Sequence, residues 1–181
     1  SPGEHTITVL VDNARLPPVG PSHAVDERTQ TNWNGIVGRI ELRATDPVWL
    51  DDVQVYPSAA KKQAVVRVNV GNIIGRPAVG TITVACESYN CSHPVRLNTN
   101  SFPVNAPDRE NVVEFAYDPG EDAPLWDEFQ PAMLRMTLDL AATAGGDRCA
   151  DKHSVSFGMR DFAAKQSHFI VNGRPTFLRG K

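Results

Sequence analysis

Five stretches of this chain place an apolar side chain at every second residue. Ala64, Val66, Val68 and Val70 alternate with Val65, Arg67 and Asn69, the pattern of a strand with one face in a core. Ile82, Val84 and Cys86 alternate with Thr83 and Ala85. Val113 leads to Phe115 and Tyr117, Leu134 to Met136, Leu138 and Leu140, and Val155 to Phe157 and Met159. Recurrence at every third and fourth residue, which an amphipathic helix requires, is hard to find. Turn chemistry separates the stretches, at Gly71-Asn72, Gly75-Arg76-Pro77, Asp118-Pro119-Gly120 and Gly145-Gly146-Asp147. Short strands at this spacing predict an all-β fold, an immunoglobulin-like antiparallel β-sandwich over 47–162.

The two ends fall outside that unit. Residues 1–46 hold an apolar strand at Ile7–Val11, a long polar loop, and a second strand from Gly38 to Ala44, and two strands cannot bury a core alone. At the other end His168–Val171, Asn172-Gly173 and Thr176–Leu178 read as a hairpin with an Asn-Gly turn. Both ends read as pieces of neighbouring domains, so their edges are expected to pair between copies or to lose order.

Composition excludes several functions. With hydrophobic residues at 41% and charged residues at 22%, a packed core is expected rather than disorder. A net charge of -3 with 18 dispersed Lys and Arg gives no basic stripe for nucleic acid. No apolar run reaches the roughly 18–20 residues of a membrane span. Of the three cysteines, Cys86 and Cys91 are close enough for a local disulfide. The odd count and the lack of a CxxC pair or a His cluster favour core or surface thiols over a bridge or a zinc site. Phosphate loops, nucleophile elbows and metal-ligand spacings are absent, so no cofactor is expected. Asn90-Cys91-Ser92 matches a glycosylation sequon, a weak signal.

Four segments, in order, resemble the glycoside hydrolase family 2 enzymes, the β-galactosidase, β-mannosidase and β-glucuronidase group. These are Gly3-Glu4-His5 to Val11-Asp12-Asn13, then Asn32-Trp33-Asn34-Gly35-Ile36 to Leu42, then Pro124-Leu125-Trp126 with Pro131 and Leu134. The last runs from Phe157-Gly158-Met159-Arg160 through Phe169-Ile170-Val171-Asn172-Gly173-Arg174-Pro175 to Leu178-Arg179-Gly180. The family often has Arg two residues after the Gly-Ile pair, where this chain has Gly38 and then Arg39. The stretch Thr29–Trp33 lacks the acidic form of the best-studied β-galactosidases, which leaves the sugar open. The resemblance implies the end of a sugar-binding jelly roll over 1–46 and the immunoglobulin-like sandwich over 47–162. It also implies a linker with the entry hairpin of a (β/α)8 catalytic barrel over 163–181.

Retaining glycosidases need two carboxyl groups about 5–5.5 Å apart, and the resemblance implies that both are glutamates of the barrel, beyond Lys181. Asp26, Glu27, Asp51, Asp52, Glu121, Asp122, Asp127 and Glu128 sit in polar loops or at strand ends and read as solvated surface charge. The chain is therefore expected to be a non-catalytic accessory piece of a carbohydrate-cleaving parent. Its partners would be that parent's own jelly roll and barrel and its carbohydrate substrate, with no nucleic acid and no membrane span. A bacterial periplasmic or secreted location goes with that substrate class. Asn32 and Trp33 are the candidate substrate-binding residues, in the parent only, because an indole stacks on a sugar ring and an amide bonds its hydroxyls. Trp33 can equally pack under the jelly roll, with Asn32 capping a turn. His23, in the same loop, reads as a surface residue. Trp49 and Trp126 can serve as a carbohydrate platform or pack across a domain interface. The alternatives to an accessory piece are an autonomous carbohydrate-binding module and a standalone adhesive sandwich. Aromatic residues at 7%, spread along the chain, count against the module, and the barrel-entry hairpin counts against the adhesive sandwich.

Overall fold

The computed structural model describes residues 4–12, 35, 36 and 38–177. Chain contacts divide it into two units, Ser1–Ala44 and Thr45–Lys181. Among the described residues ten strands form, each in the second unit, and no helix forms.

Seven of those strands make the expected sandwich. In chain order they are β1 Val48–Ser58, β2 Gln63–Asn72, β3 Ala78–Tyr89, β4 Asn100–Ala106, β5 Glu110–Tyr117, β6 Met133–Ala144 and β7 Asp147–Phe157. One sheet has the order β1-β2-β5 and the other β4-β3-β6-β7, with every pair antiparallel. The fourth strand therefore pairs with the third, not with the first sheet as in constant-type immunoglobulin domains. The alternation seen in the sequence supplies the two inner faces. Val66, Val68 and Val70 of β2 are buried with Ile82 and Val84 of β3 and Leu134, Met136, Leu138 and Leu140 of β6. Phe102 stacks on Phe115, centroids 3.9 Å apart, tying β4 to β5 across the two sheets. Tyr117 is fully buried and its hydroxyl donates to the Asn98 carbonyl.

The turns follow the expected chemistry with one exception. Gly145 and Gly146, with φ of 58° and 99°, close the β6–β7 hairpin in two residues. Gly71-Asn72 is no turn. Both residues end β2, and both are buried. Asn72 is held there by three side-chain bonds. Its Nδ2 donates to the Arg76 and Ala106 carbonyls, both at 2.8 Å, and its Oδ1 accepts from the Ile74 amide at 3.0 Å.

After the sandwich comes a small three-stranded sheet of β8 Phe162–Lys165, β9 His168–Val171 and β10 Arg174–Thr176. The Asn-Gly hairpin is present, with Asn172 and Gly173 at φ of 50° and 79°. The linker expected before it is a strand, because Phe162 finds a partner ring in Phe169, centroids 5.4 Å apart. This end forms a three-stranded sheet through Thr176. Residues 178–181 lie outside the described residues. In the first unit the strands expected at Ile7–Val11 and Gly38–Ala44 do not form. Ile7, Leu10 and Leu42 are 70%, 88% and 87% exposed, and an extended segment becomes a strand only when a neighbour takes its backbone bonds.

All three thiols are free, with Cys86 and Cys149 buried in the core and Cys91 half-buried in the β3–β4 loop. Burial pushes the Cys86 thiol up to about 11, partly offset by its bond to Tyr117, and burial likewise raises the Tyr117 phenol. Both groups hold their protons more tightly folded than unfolded, so they contribute stability at neutral pH. That stability drains as pH rises above the unfolded thiol value near 9 and is gone for Cys86 above about 11. The expected result is alkaline unfolding that steepens above pH 9, worth about 2–3 kcal/mol from Cys86. Urea melts at stepped pH check it, and Cys86→Val should flatten the slope. A thiol reagent on the folded chain should label Cys91 quickly and the other two only on unfolding.

Candidate functional site at the Trp126 junction

The last two of the four segments singled out in the sequence converge at one end of the sandwich. Leu125 bridges Met159 in parallel, and the Trp126 amide donates to the Met159 carbonyl at 3.0 Å. This stitches Pro124-Leu125-Trp126 to Phe157-Gly158-Met159-Arg160. Gly158 is required at that crossing, because a Cβ there would lie 2.9 Å from Cβ and Cγ of Trp126. The Arg160 guanidinium sits 4.5 Å above the Trp126 ring centroid, a cation–π contact.

Asn172 of the β9–β10 turn brings in the later part of the last segment. Its Nδ2 donates to the Trp126 carbonyl at 2.9 Å, its Oδ1 accepts from the Asp161 amide at 2.8 Å, and its own amide donates to the Asp161 carbonyl at 3.0 Å. The Asp161 carboxylate in turn accepts from the Ala60 amide in the β1–β2 turn at 2.7 Å. Asp127 orders the loop beyond Trp126 by accepting from the Phe129 and Gln130 amides at 2.8 and 2.7 Å. Trp126, Phe129, Phe162, Val171 and Pro175 surround a cleft of about 230 Å³ rimmed by Arg160 and Arg174.

This arrangement can position and orient. Of the acids considered from sequence, Asp51 accepts from the Trp49 indole at 3.0 Å, Asp52 accepts from Gln54 at 2.8 Å, Glu121 pairs with Lys62, and Asp127 caps its turn. Asp51, Asp52, Glu121, Asp122 and Glu128 are exposed. No group of three metal-ligating side chains occurs among the described residues. Asn32, Trp33, His23, Asp26 and Glu27 lie outside the described residues. The role of Asn172 as the link between small sheet and sandwich was missed. Asn-Gly signals a turn, but nothing local says where a turn's side chain will bond.

No family model and no curated protein matches the sequence. Among solved structures, a GH2 beta-galacturonidase from Eisenbergiella tayi matches at a TM-score of 0.57 and 16% identity, over 72% of this chain and 21% of its own. A Bacteroides uniformis beta-glucuronidase matches at 0.57 and 17%, over 75% and 17%. A glycosyl hydrolase family 2 member from Bacteroides cellulosilyticus matches at 0.55 and 18%, over 75% and 19%. The chain spans about a fifth of the length of these structures. At such identities the likeness establishes a shared architecture, and the chain has the fold of a segment of glycoside hydrolase family 2 structures.

Proposed function

We propose that the chain is a non-catalytic accessory segment of a family 2 glycoside hydrolase of the retaining kind, which cleaves O-glycosidic bonds. The observation that carries this reading is the convergence at Trp126. Segments picked out for their family resemblance, separated by 30 to 50 residues, meet in one hydrogen-bonded junction. A set of motifs shared by chance would have no reason to meet. In this reading the sandwich fixes the small sheet of β8–β10 where the chain passes toward a catalytic barrel. The carboxylate pair belongs to the barrel, and Asn32 and Trp33 reach the sugar only in the whole enzyme. Placement outside the cytoplasm, in a periplasm or secreted, accords with that substrate class.

Two measurements test it. Sequencing the gene through the codon for Lys181 should show a frame continuing for roughly 250 residues in βα units, with a Glu at the end of two strands. A stop codon at that point would overturn the reading. The purified chain should release no nitrophenol from nitrophenyl β-galactoside, β-mannoside, β-glucuronide or β-galacturonide; turnover above buffer would show that it carries its own active site.

A further inference from the structure

A second tryptophan builds a different surface on the outside of the three-stranded sheet. Trp49, Gly71 and Glu110 stand in one row across β1, β2 and β5. Gly71 leaves a gap in the middle of that row, and the indole of Trp49 fills it. A Cβ on Gly71 would lie 2.3, 2.5 and 2.6 Å from Cζ2, Cε2 and Cη2 of the ring. Gly71 is buried although it points away from the core, so the ring is its cover. The Trp49 Nε1–H donates to Asp51 Oδ1 at 3.0 Å, which fixes the ring. The half-buried indole lines an open cleft of about 550 Å³ with Asp51, Asn69, Arg109 and Glu110. The side chains of Asn69, Arg109 and Glu110 make no hydrogen bond or ion pair among the described residues.

We propose that this cleft is a binding site for a neutral saccharide. A pyranose has an apolar C–H face, which packs on an immobilised indole, and an edge of hydroxyls, which need both donors and acceptors. Trp49 supplies the platform. Asn69 supplies both hydrogen-bonding roles, Arg109 the donors, and Asp51 and Glu110 the acceptors. The two carboxylates disfavour phosphates and uronic acids at the same place. The ring is held before any ligand arrives, so stacking costs no ordering of the tryptophan. This site stands apart from the Trp126 junction and goes beyond the accessory reading without depending on it.

The test follows the three indole N–H resonances by NMR while the whole chain is titrated with cellohexaose and, separately, β-1,4-mannohexaose. The Trp49 resonance should move with at least one of them, with a dissociation constant on the order of 1 mM, while that of Trp126 stays. Trp49→Ala should abolish the response. Asn69→Ala, which leaves the tryptophan and its Gly71 seat in place, should weaken binding at least about fivefold. The site is overturned by a Trp49 resonance that moves with neither sugar, by equal affinity in Asn69→Ala, or by tighter binding of a polyproline peptide than of either sugar. None of those results touches the accessory reading, which the reading frame and the hydrolysis assay decide.

Discussion

Gly80→Ala is expected to cost about 3 kcal/mol or more, and Gly80→Val to leave the chain unable to fold at 37 °C. Gly80 lies inside β3, paired with Val104 of β4 on one side and Ala142 of β6 on the other. A Cβ there would sit 2.2 Å from the Ala141 carbonyl oxygen, 2.6 Å from the Ala142 Cα and 2.9 Å from the Ala142 Cβ. Two of these are backbone atoms of the neighbouring strand, so no rotamer change relieves the clash. Strand β3 would have to withdraw from β6, along a ladder that runs unbroken from Ala78–Ala144 to Tyr89–Met133. The inner faces of those two strands carry Ile82, Val84, Leu138 and Leu140, so the core opens with the ladder. A domain whose total stability is about 5–15 kcal/mol has little to spare. Urea denaturation measures the loss, with Gly173→Ala as the control. Gly173 has a φ of 79° but no atom within 4 Å of an added Cβ, so only backbone strain of about 1 kcal/mol applies there. A Gly80→Ala chain as stable as that control would show that the two strands tolerate separation.

The glycines also mark where the sequence misleads. Gly71 reads as a turn between strands, yet it lies inside β2, as Gly80 lies inside β3. In each case the missing side chain is occupied by a neighbour, an indole at Gly71 and the backbone of β6 at Gly80. Strands β2, β3, β5 and β6 were legible because one face of each is continuously apolar. β1 was not, because a register shift between Leu50 and Asp52 moves its buried set from Val48 and Leu50 to Val53. A pattern search sees two broken halves. β4 hid behind Pro103 and its polar neighbours, as edge strands do. The first half of β7 hid because Asp151 and His153, on the inner side, replace apolar residues; Asp151 accepts the Leu50 amide at 2.9 Å and so closes the seam between the sheets. The junction was legible as separate segments only. Its assembly rests on backbone atoms of Met159, Asp161 and Trp126, and any residue type presents those.

Trp126→Ala should release the small sheet while leaving the sandwich folded. The backbone bonds of residue 126 to Met159 and Asn172 survive the substitution, so the effect isolates the ring. That ring covers Gly158, carries the Arg160 guanidinium and forms one wall of the cleft against Phe162, Val171 and Pro175. A half-buried indole removes on the order of 100 Å² of apolar surface from water, worth about 2.5 kcal/mol, and the cation–π contact adds about 0.5 kcal/mol. The sum is about 3 kcal/mol, or roughly a hundredfold rise in the population with β8–β10 undocked. Trypsin reads this directly at Lys165, at the end of β8, because cleavage tracks the open fraction when reclosing is fast. Cleavage there should speed up by that factor, while urea melts of the core shift by less than about 1 kcal/mol. Trp126→Phe should recover part of the protection by restoring a ring under Arg160. An unchanged cleavage rate in Trp126→Ala would mean that Asn172 and Asp161 hold the sheet alone. A global loss of stability would mean that the junction is part of the sandwich core. The first result would remove Trp126 from the positioning role, and the second would remove the junction itself as a separate joint between sandwich and small sheet.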